Sequence, residues 1–100
     1  MYRFTRTILV KHAADIPLAL KFALEVTGYL KKTYDIKMST GAELYGETRV
    51  HWFYDFDTLD GSSQLNAKLG QDAQYLAMIA KAKDLLVEGS NQDKVVRILG

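Results

Sequence analysis

The stretch Arg49–Tyr75 reads RVHWFYDFDTLDGSSQLNAKLGQDAQY, and its pattern decides the fold. The first part alternates. Val50, Trp52, Tyr54 and Phe56 fall on one side of an extended chain, and Arg49, His51, Asp55 and Asp57 on the other. At Asp57-Thr58 the period of the apolar residues lengthens from two to about three and a half, the mark of a strand running directly into a helix. One face of that strand is aromatic and the other ionisable, so it belongs to a sheet with something to cover on both sides.

Upstream, Tyr2 to His12 reads as a first strand, with Tyr2, Phe4, Ile8 and Val10 on one face and Arg6 interrupting them. Asp15 is a good N-cap and Pro17 fits the first helical turn, where its missing N–H costs nothing. Ile16, Ala19, Ala23, Val26 and Leu30 then recur at helical spacing to about Tyr34, with Lys31 and Lys32 suited to the negative end of the helix dipole. Gly28 inside this helix is costly relative to alanine, and a close packing contact is the expected reason. A second strand is expected over about Met38 to Tyr45, with Gly46-Glu47 as the hairpin signal before the third. The helical region from Thr58 or Asp60 should break at Gly70-Gln71-Asp72 and resume through Tyr75, Met78, Ile79, Ala82, Leu85 and Leu86. Lys94 to Leu99 completes the chain as a short strand.

The order strand, helix, strand, strand, helix, strand predicts an α+β, ferredoxin-like βαββαβ domain over residues 1–100. Such a domain is a four-stranded antiparallel sheet with both helices on one face. That arrangement leaves the other sheet face open. Phe53, Leu9 and Tyr45 make it too apolar for a simple solvated surface, so a second copy of the chain is expected to cover it by a self-complementary, two-fold contact.

Composition excludes several function classes. Lys+Arg 13 against Asp+Glu 12 leaves no cationic excess to neutralise a phosphate backbone, and no basic-Gly-aromatic pattern is present, so no nucleic-acid partner is expected. The absence of cysteine removes disulfides, thiolate catalysis and Cys-ligated zinc, and suits a reducing compartment. No apolar run approaches the roughly 18 residues of a membrane span. The N-terminal MYRFTRTILV alternates like a strand rather than a signal peptide, and a cytoplasmic location is expected. His12 and His51 show no paired metal-ligand spacing, no phosphate-binding glycine loop appears, and Ser62-Ser63 read as helix-capping residues.

The element order, the aromatic third strand and the run LNAKLGQDAQYLAMIAKAKDLLVEGS resemble the dimeric α/β-barrel superfamily, which includes antibiotic-monooxygenase-like, EthD-like and NIPSNAP-like domains. The segment Asp72 to Tyr75 is similar to an Asp-x-x-Tyr or Asp-x-x-Trp feature of its small bacterial members. The resemblance implies that two ferredoxin-like protomers pack sheet against sheet, often with a small-molecule pocket between sheet and helices. It also implies chemistry without metal or organic cofactor on quinone-like, lactone or polyketide substrates, although some members bind haem. The Asn/Trp/His constellations of the characterised monooxygenases have no residue-by-residue match here.

Six side chains carry the candidate chemistry. His51 can exchange a proton near neutrality, and shares a strand face with Arg49 at a spacing of about 6.6–6.8 Å; its structural reading is an interface histidine. Arg6 needs an anion, since an unpaired buried charge is costly, whether from a ligand or from Glu25 or Asp72. Trp52 and Tyr54, with Phe56, either wall an aromatic pocket or form core under the helices. Tyr45, with Glu43, is a polar handle or an exposed hairpin residue. In the enzyme reading Arg6 holds an anionic oxygen, His51 or Tyr54 handles protons and Trp52 stacks on a flat substrate, with Arg49 and Tyr45 completing the ligand set. That reading is a cofactor-free oxygenase, isomerase or cyclase on an aromatic or quinone-like substrate. The competing reading is a non-catalytic dimer that binds a ligand or a partner protein. A void of roughly 300 Å³ or more beside Arg6 separates the two.

Overall fold

The computed structural model describes residues 1–43 and 45–100. It runs β1 (Tyr2–Leu9), a 3₁₀ turn (Ala13–Asp15), α1 (Ile16–Tyr34), β2 (Ser39–Ala42), β3 (Arg49–Phe56), α2 (Leu59–Leu69), α3 (Ala73–Lys81) and β4 (Gln92–Arg97). The sheet order is β2-β3-β1-β4 and every pairing is antiparallel. This is the ferredoxin-like arrangement that the sequence predicts, with the second helical region divided in two.

The long β1–β3 ladder follows from matched alternation. Phe4 lies opposite Tyr54, Arg6 opposite Trp52 and Ile8 opposite Val50, so most of the large apolar side chains of both strands share one face, with Phe53 and Leu9 left on the other. Cross-strand aromatic contacts hold that register: Tyr2 stacks on Phe56 at 5.5 Å and Phe4 meets Tyr54 at 5.6 Å between ring centroids. Against this face α1 buries Ala19, Phe22, Ala23, Val26 and Leu30, the stripe expected from its period. Ala19 and Ala23 are completely buried, which lets the helix backbone approach β3 closely enough for the Trp52 indole N–H to donate to the Ala23 carbonyl at 3.3 Å. The helix ends at Asp35, whose left-handed conformation (φ 55°) points its N–H back to the carbonyls of Leu30 and Lys31.

Several boundaries differ from expectation. β1 ends at Leu9, and Val10 forms only an isolated bridge with Leu86. Its N–H donates to the Thr48 carbonyl, while the chain after α3 bonds to its neighbours, Lys11 donating to the Leu85 carbonyl and Val87 to that of Leu9. β2 is confined to Ser39–Ala42, with Glu43 still donating to the Arg49 carbonyl; Leu44, also assigned to this strand, lies outside the described residues. The hairpin bend is at Gly46, whose φ of 82° favours glycine. β4 starts at Gln92 rather than Lys94, since only that register pairs it fully with β1. Ser62 is not a cap; Thr58 caps α2 through the Gly61 N–H. The close contact expected at Gly28 is absent, for nothing described lies within 4 Å of where its Cβ would stand.

The helix layer is uneven. α1 packs across β2 and β3 and α2 on β3, while α3 leans on α1. Every residue of β4 is exposed, and α3 buries none of its own. Among the described residues no helix is long and apolar enough to cross a membrane.

Candidate functional site

Because the helices crowd toward β3, a cavity of about 270 Å³ remains over β1, between sheet and helices. The sheet supplies its floor through Phe4, Arg6, Ile8, Trp52 and Tyr54. Phe22, Val26 and Leu30 of α1 form one wall, Leu65 and Leu69 of α2 another, and Tyr75 and Ile79 of α3 the roof. Trp52 is 7% exposed and meets Phe22 edge to face at 6.1 Å. Polar groups are few: Arg6, the hydroxyls of Tyr54 and Tyr75, and the side chains of Asn66 and Asn91.

Arg6 is the only charged residue lining this cavity among the described residues, and its partner is neither Glu25 nor Asp72. Asp93 of β4 lies directly opposite it in register and accepts from Nε at 2.7 Å and Nη2 at 2.8 Å. The expected partners fail for physical reasons. Glu25 is on the exposed side of α1, and Asp72 is already engaged by two tyrosines. The bidentate hydrogen bond holds Arg6 more firmly protonated and keeps the Asp93 carboxyl below its ordinary range. The Arg6 guanidinium also sits over the Phe4 ring, 5.6 Å from its centroid.

Tyr54 is buried and its hydroxyl shares a hydrogen bond with Ser62 Oγ at 3.2 Å. Tyr75 is half-buried, and burial pushes its phenol pKa up. Its backbone N–H donates to Asp72 Oδ1 at 3.0 Å, while Tyr29 and Tyr34 donate their hydroxyls to Asp72 Oδ2 at 2.5 and 2.6 Å. Asp72 therefore caps α3 and ties that helix start to α1.

The remaining expected site residues lie elsewhere. His51 and Arg49 occupy the opposite, open sheet face, because they alternate with Trp52 and Val50. His51 Nε2 is 3.1 Å from Glu43 Oε1, and Arg49 donates to Glu47 at 3.1 Å. Tyr45, also expected on that face, is 90% exposed in the β2–β3 turn, carried away where pairing stops. The candidate set thus divides: Arg6, Trp52 and Tyr54 share the cavity, while His51, Arg49 and Tyr45 do not enter it. The open face also carries Arg3 paired to Asp55 at 2.8 Å, with Phe53 beneath the guanidinium at 5.6 Å.

Sequence reasoning assigned no role to Asp93, Asn66, Asn91 or Tyr75. For Asp93 a signal existed: Asp93, Val95 and Arg97 alternate, so one choice of antiparallel register sets a carboxylate against Arg6. Among the described residues no group of three or more histidine or acidic side chains is placed to hold a metal ion.

A four-stranded antiparallel sheet in this order, with helices on one face and a cavity between the layers, defines a ferredoxin-like α+β fold. Solved structures agree. The chain is similar to a NIPSNAP domain protein from Burkholderia xenovorans, with a TM-score of 0.80 and 17% identity over 99% of this chain and 95% of the other. It is similar to a NIPSNAP family protein from Agrobacterium tumefaciens, with a TM-score of 0.73 and 22% identity over 96% and 86%. A putative antibiotic biosynthesis monooxygenase from Nitrosomonas europaea superposes with a TM-score of 0.73 and 14% identity over 100% of both chains. No family model and no curated protein matches the sequence. At these identities the likeness is one of fold.

Proposed function

We propose that the chain is a homodimeric protein that binds a small, flat, largely apolar molecule between its sheet and helices. The observation that carries this reading is the cavity of about 270 Å³, with Trp52 and Tyr54 in its floor and Arg6 at its polar end. That volume falls just short of the roughly 300 Å³ at which the usual range of ligand sites begins, and it is the apolar walls with a few polar groups, which such sites share, that support the reading. The dimer is supported by the open face, where Phe53, Leu9 and the half-exposed Val96 lie among paired charges. His51 belongs to that interface in this reading.

A cofactor-free oxygenase, isomerase or cyclase acting on an aromatic or quinone-like substrate is the finer form of the proposal. In that form Tyr54, in the cavity floor, handles protons and Arg6 is the charge available to a developing oxyanion. The pairing of Arg6 with Asp93 favours the second reading, a non-catalytic ligand-binding module, because it occupies the cation that an oxyanion would need.

Light scattering on a size-exclusion column tests the assembly, and a stable monomer of 11.3 kDa at micromolar concentration would refute it. A thermal-shift screen of small quinones, aromatic ketones and aromatic acids tests the cavity. Hits that perturb the Trp52 indole resonance are expected, and a screen without any removes the ligand reading.

A further inference from the structure

The Asp72–Tyr75 segment does more than start a helix. Asp72 Oδ1 accepts from the Tyr75 N–H, and its Oδ2 accepts both the Tyr29 and Tyr34 hydroxyls. These bonds clamp the first turn of α3 to α1, and Tyr75 thereby stands in the cavity roof. Among the described residues its hydroxyl has no hydrogen-bond partner, although the side chain is half-buried. The one buried side-chain polar atom without a partner among the described residues is Arg49 Nη1, so the Tyr75 hydroxyl keeps contact with water and is a donor that an entering ligand can take over. Arg6 and Asp93 are close enough for both charges to act on this phenol, and burial raises its pKa, so it stays a protonated donor at neutral pH.

A count of donors and charges narrows what could satisfy it. Arg6 commits Nε and Nη2 to Asp93 and keeps Nη1 in reserve, so donors stand free at this end of the cavity while its one charge is already neutralised. A carboxylate entering here would compete with Asp93 for Arg6 or lie against it as a like charge. A hydrocarbon would leave the phenol unpaired. A neutral oxygen acceptor satisfies the phenol and meets no repulsion.

We infer that Tyr75, positioned by Asp72, is the hydrogen-bond donor that makes this cavity select a neutral carbonyl compound over a hydrocarbon or a carboxylate of the same shape. The inference rests on the reading of the cavity as a ligand site, and the test separates the two. 1-Tetralone, tetralin and tetralin-1-carboxylate share one bicyclic skeleton and differ in the acceptor. Each is titrated into the ¹⁵N-labelled full chain and followed by amide and Trp52 indole shifts. The ketone should bind about five- to tenfold tighter than the hydrocarbon, the worth of one hydrogen bond to a neutral partner, and the carboxylate should bind most weakly. Tyr75→Phe should erase the preference for the ketone and leave tetralin affinity unchanged. Asp72→Ala should lower ketone affinity more than tetralin affinity, whereas a merely structural role would lower both alike. A preference that survives Tyr75→Phe, or equal binding of all three by the native chain, overturns the inference while the cavity remains a ligand site. Tightest binding by the carboxylate overturns the charge argument. If none of the probes moves a cavity resonance, the ligand reading falls and this inference with it.

Discussion

Arg6 and Asp93 face each other across the β1–β4 register and close a two-bond fork at 2.7 and 2.8 Å, joining the strand beneath the cavity to an edge strand that is otherwise wholly exposed. The pair is not deep: the two side chains are 38% and 42% exposed. Solvent therefore screens much of its Coulomb energy, and the bidentate geometry recovers part of it. Arg6→Met keeps most of the stem and should cost about 1 kcal/mol in urea unfolding. A double-mutant cycle with Asp93→Asn should assign most of that to the pair. A cost of about 3 kcal/mol or more would mean that the pair is buried in the assembled protein.

How much of this was legible beforehand follows from the kind of information each feature needs. The alternation in β1 and β3 is local, so it placed Phe4, Arg6, Trp52 and Tyr54 on one face correctly. The helical period likewise identified the buried stripe of α1. The partner of Arg6 was not legible, because Asp93 is 87 residues away and which β4 residue meets Arg6 depends on a register. Tyr45 takes the exposed-hairpin alternative rather than the sheet-face one, because hydrogen bonding ends before the Gly46 turn and alternation no longer holds there. The setting of Tyr75 was hidden too, since its clamp spans 43 residues to Tyr29 and 38 to Tyr34. The break falls at Gly70-Gln71-Asp72 as expected, with Asp72 capping the next helix; Gly70 itself is in ordinary helical conformation.

Trp52 is the chain's one tryptophan and is 7% exposed, with Phe22 on its face and the Ala23 carbonyl on its indole N–H. Its emission should be blue-shifted and poorly quenched by acrylamide or iodide. Trp52→Ala should destabilise by about 3–5 kcal/mol, since the adjoining helices cannot collapse into the space without disturbing α1. Solvent-like emission in the native protein would contradict the burial.

Gly28 should be replaceable with profit. It lies on the exposed side of α1, its φ is not positive, and a Cβ built there meets nothing within 4 Å. What remains is its flexibility in the unfolded chain. Gly28→Ala should therefore stabilise by about 0.5–1 kcal/mol in equilibrium unfolding. Destabilisation would show that this helix surface is occupied in the assembled protein.

Asp72 should give the stability profile a feature at each end of the pH scale. Hydrogen bonds from Tyr29 and then Tyr34 hold its carboxyl down at about 2, below the ordinary value of 3.8. A depressed carboxyl contributes stability that is complete above the unfolded value and disappears as pH falls through the folded one, so the acid limb lies between about 4 and 2. The same contact, seen from Tyr34, pushes its phenol up to about 12 from 10.0, first through the hydrogen bond to Asp72 and then through desolvation. A raised phenol contributes stability that is complete below the unfolded value and disappears as pH rises through the folded one, so the alkaline limb lies between about 10 and 12. In melting temperatures followed by circular dichroism against pH, Asp72→Asn should flatten both limbs relative to the native chain. Tyr34→Phe should flatten each limb only in part, since Tyr29 still donates to the carboxylate and its own phenol is raised by that hydrogen bond. Profiles that run parallel for all three proteins would show that the Asp72 clamp does not persist in solution.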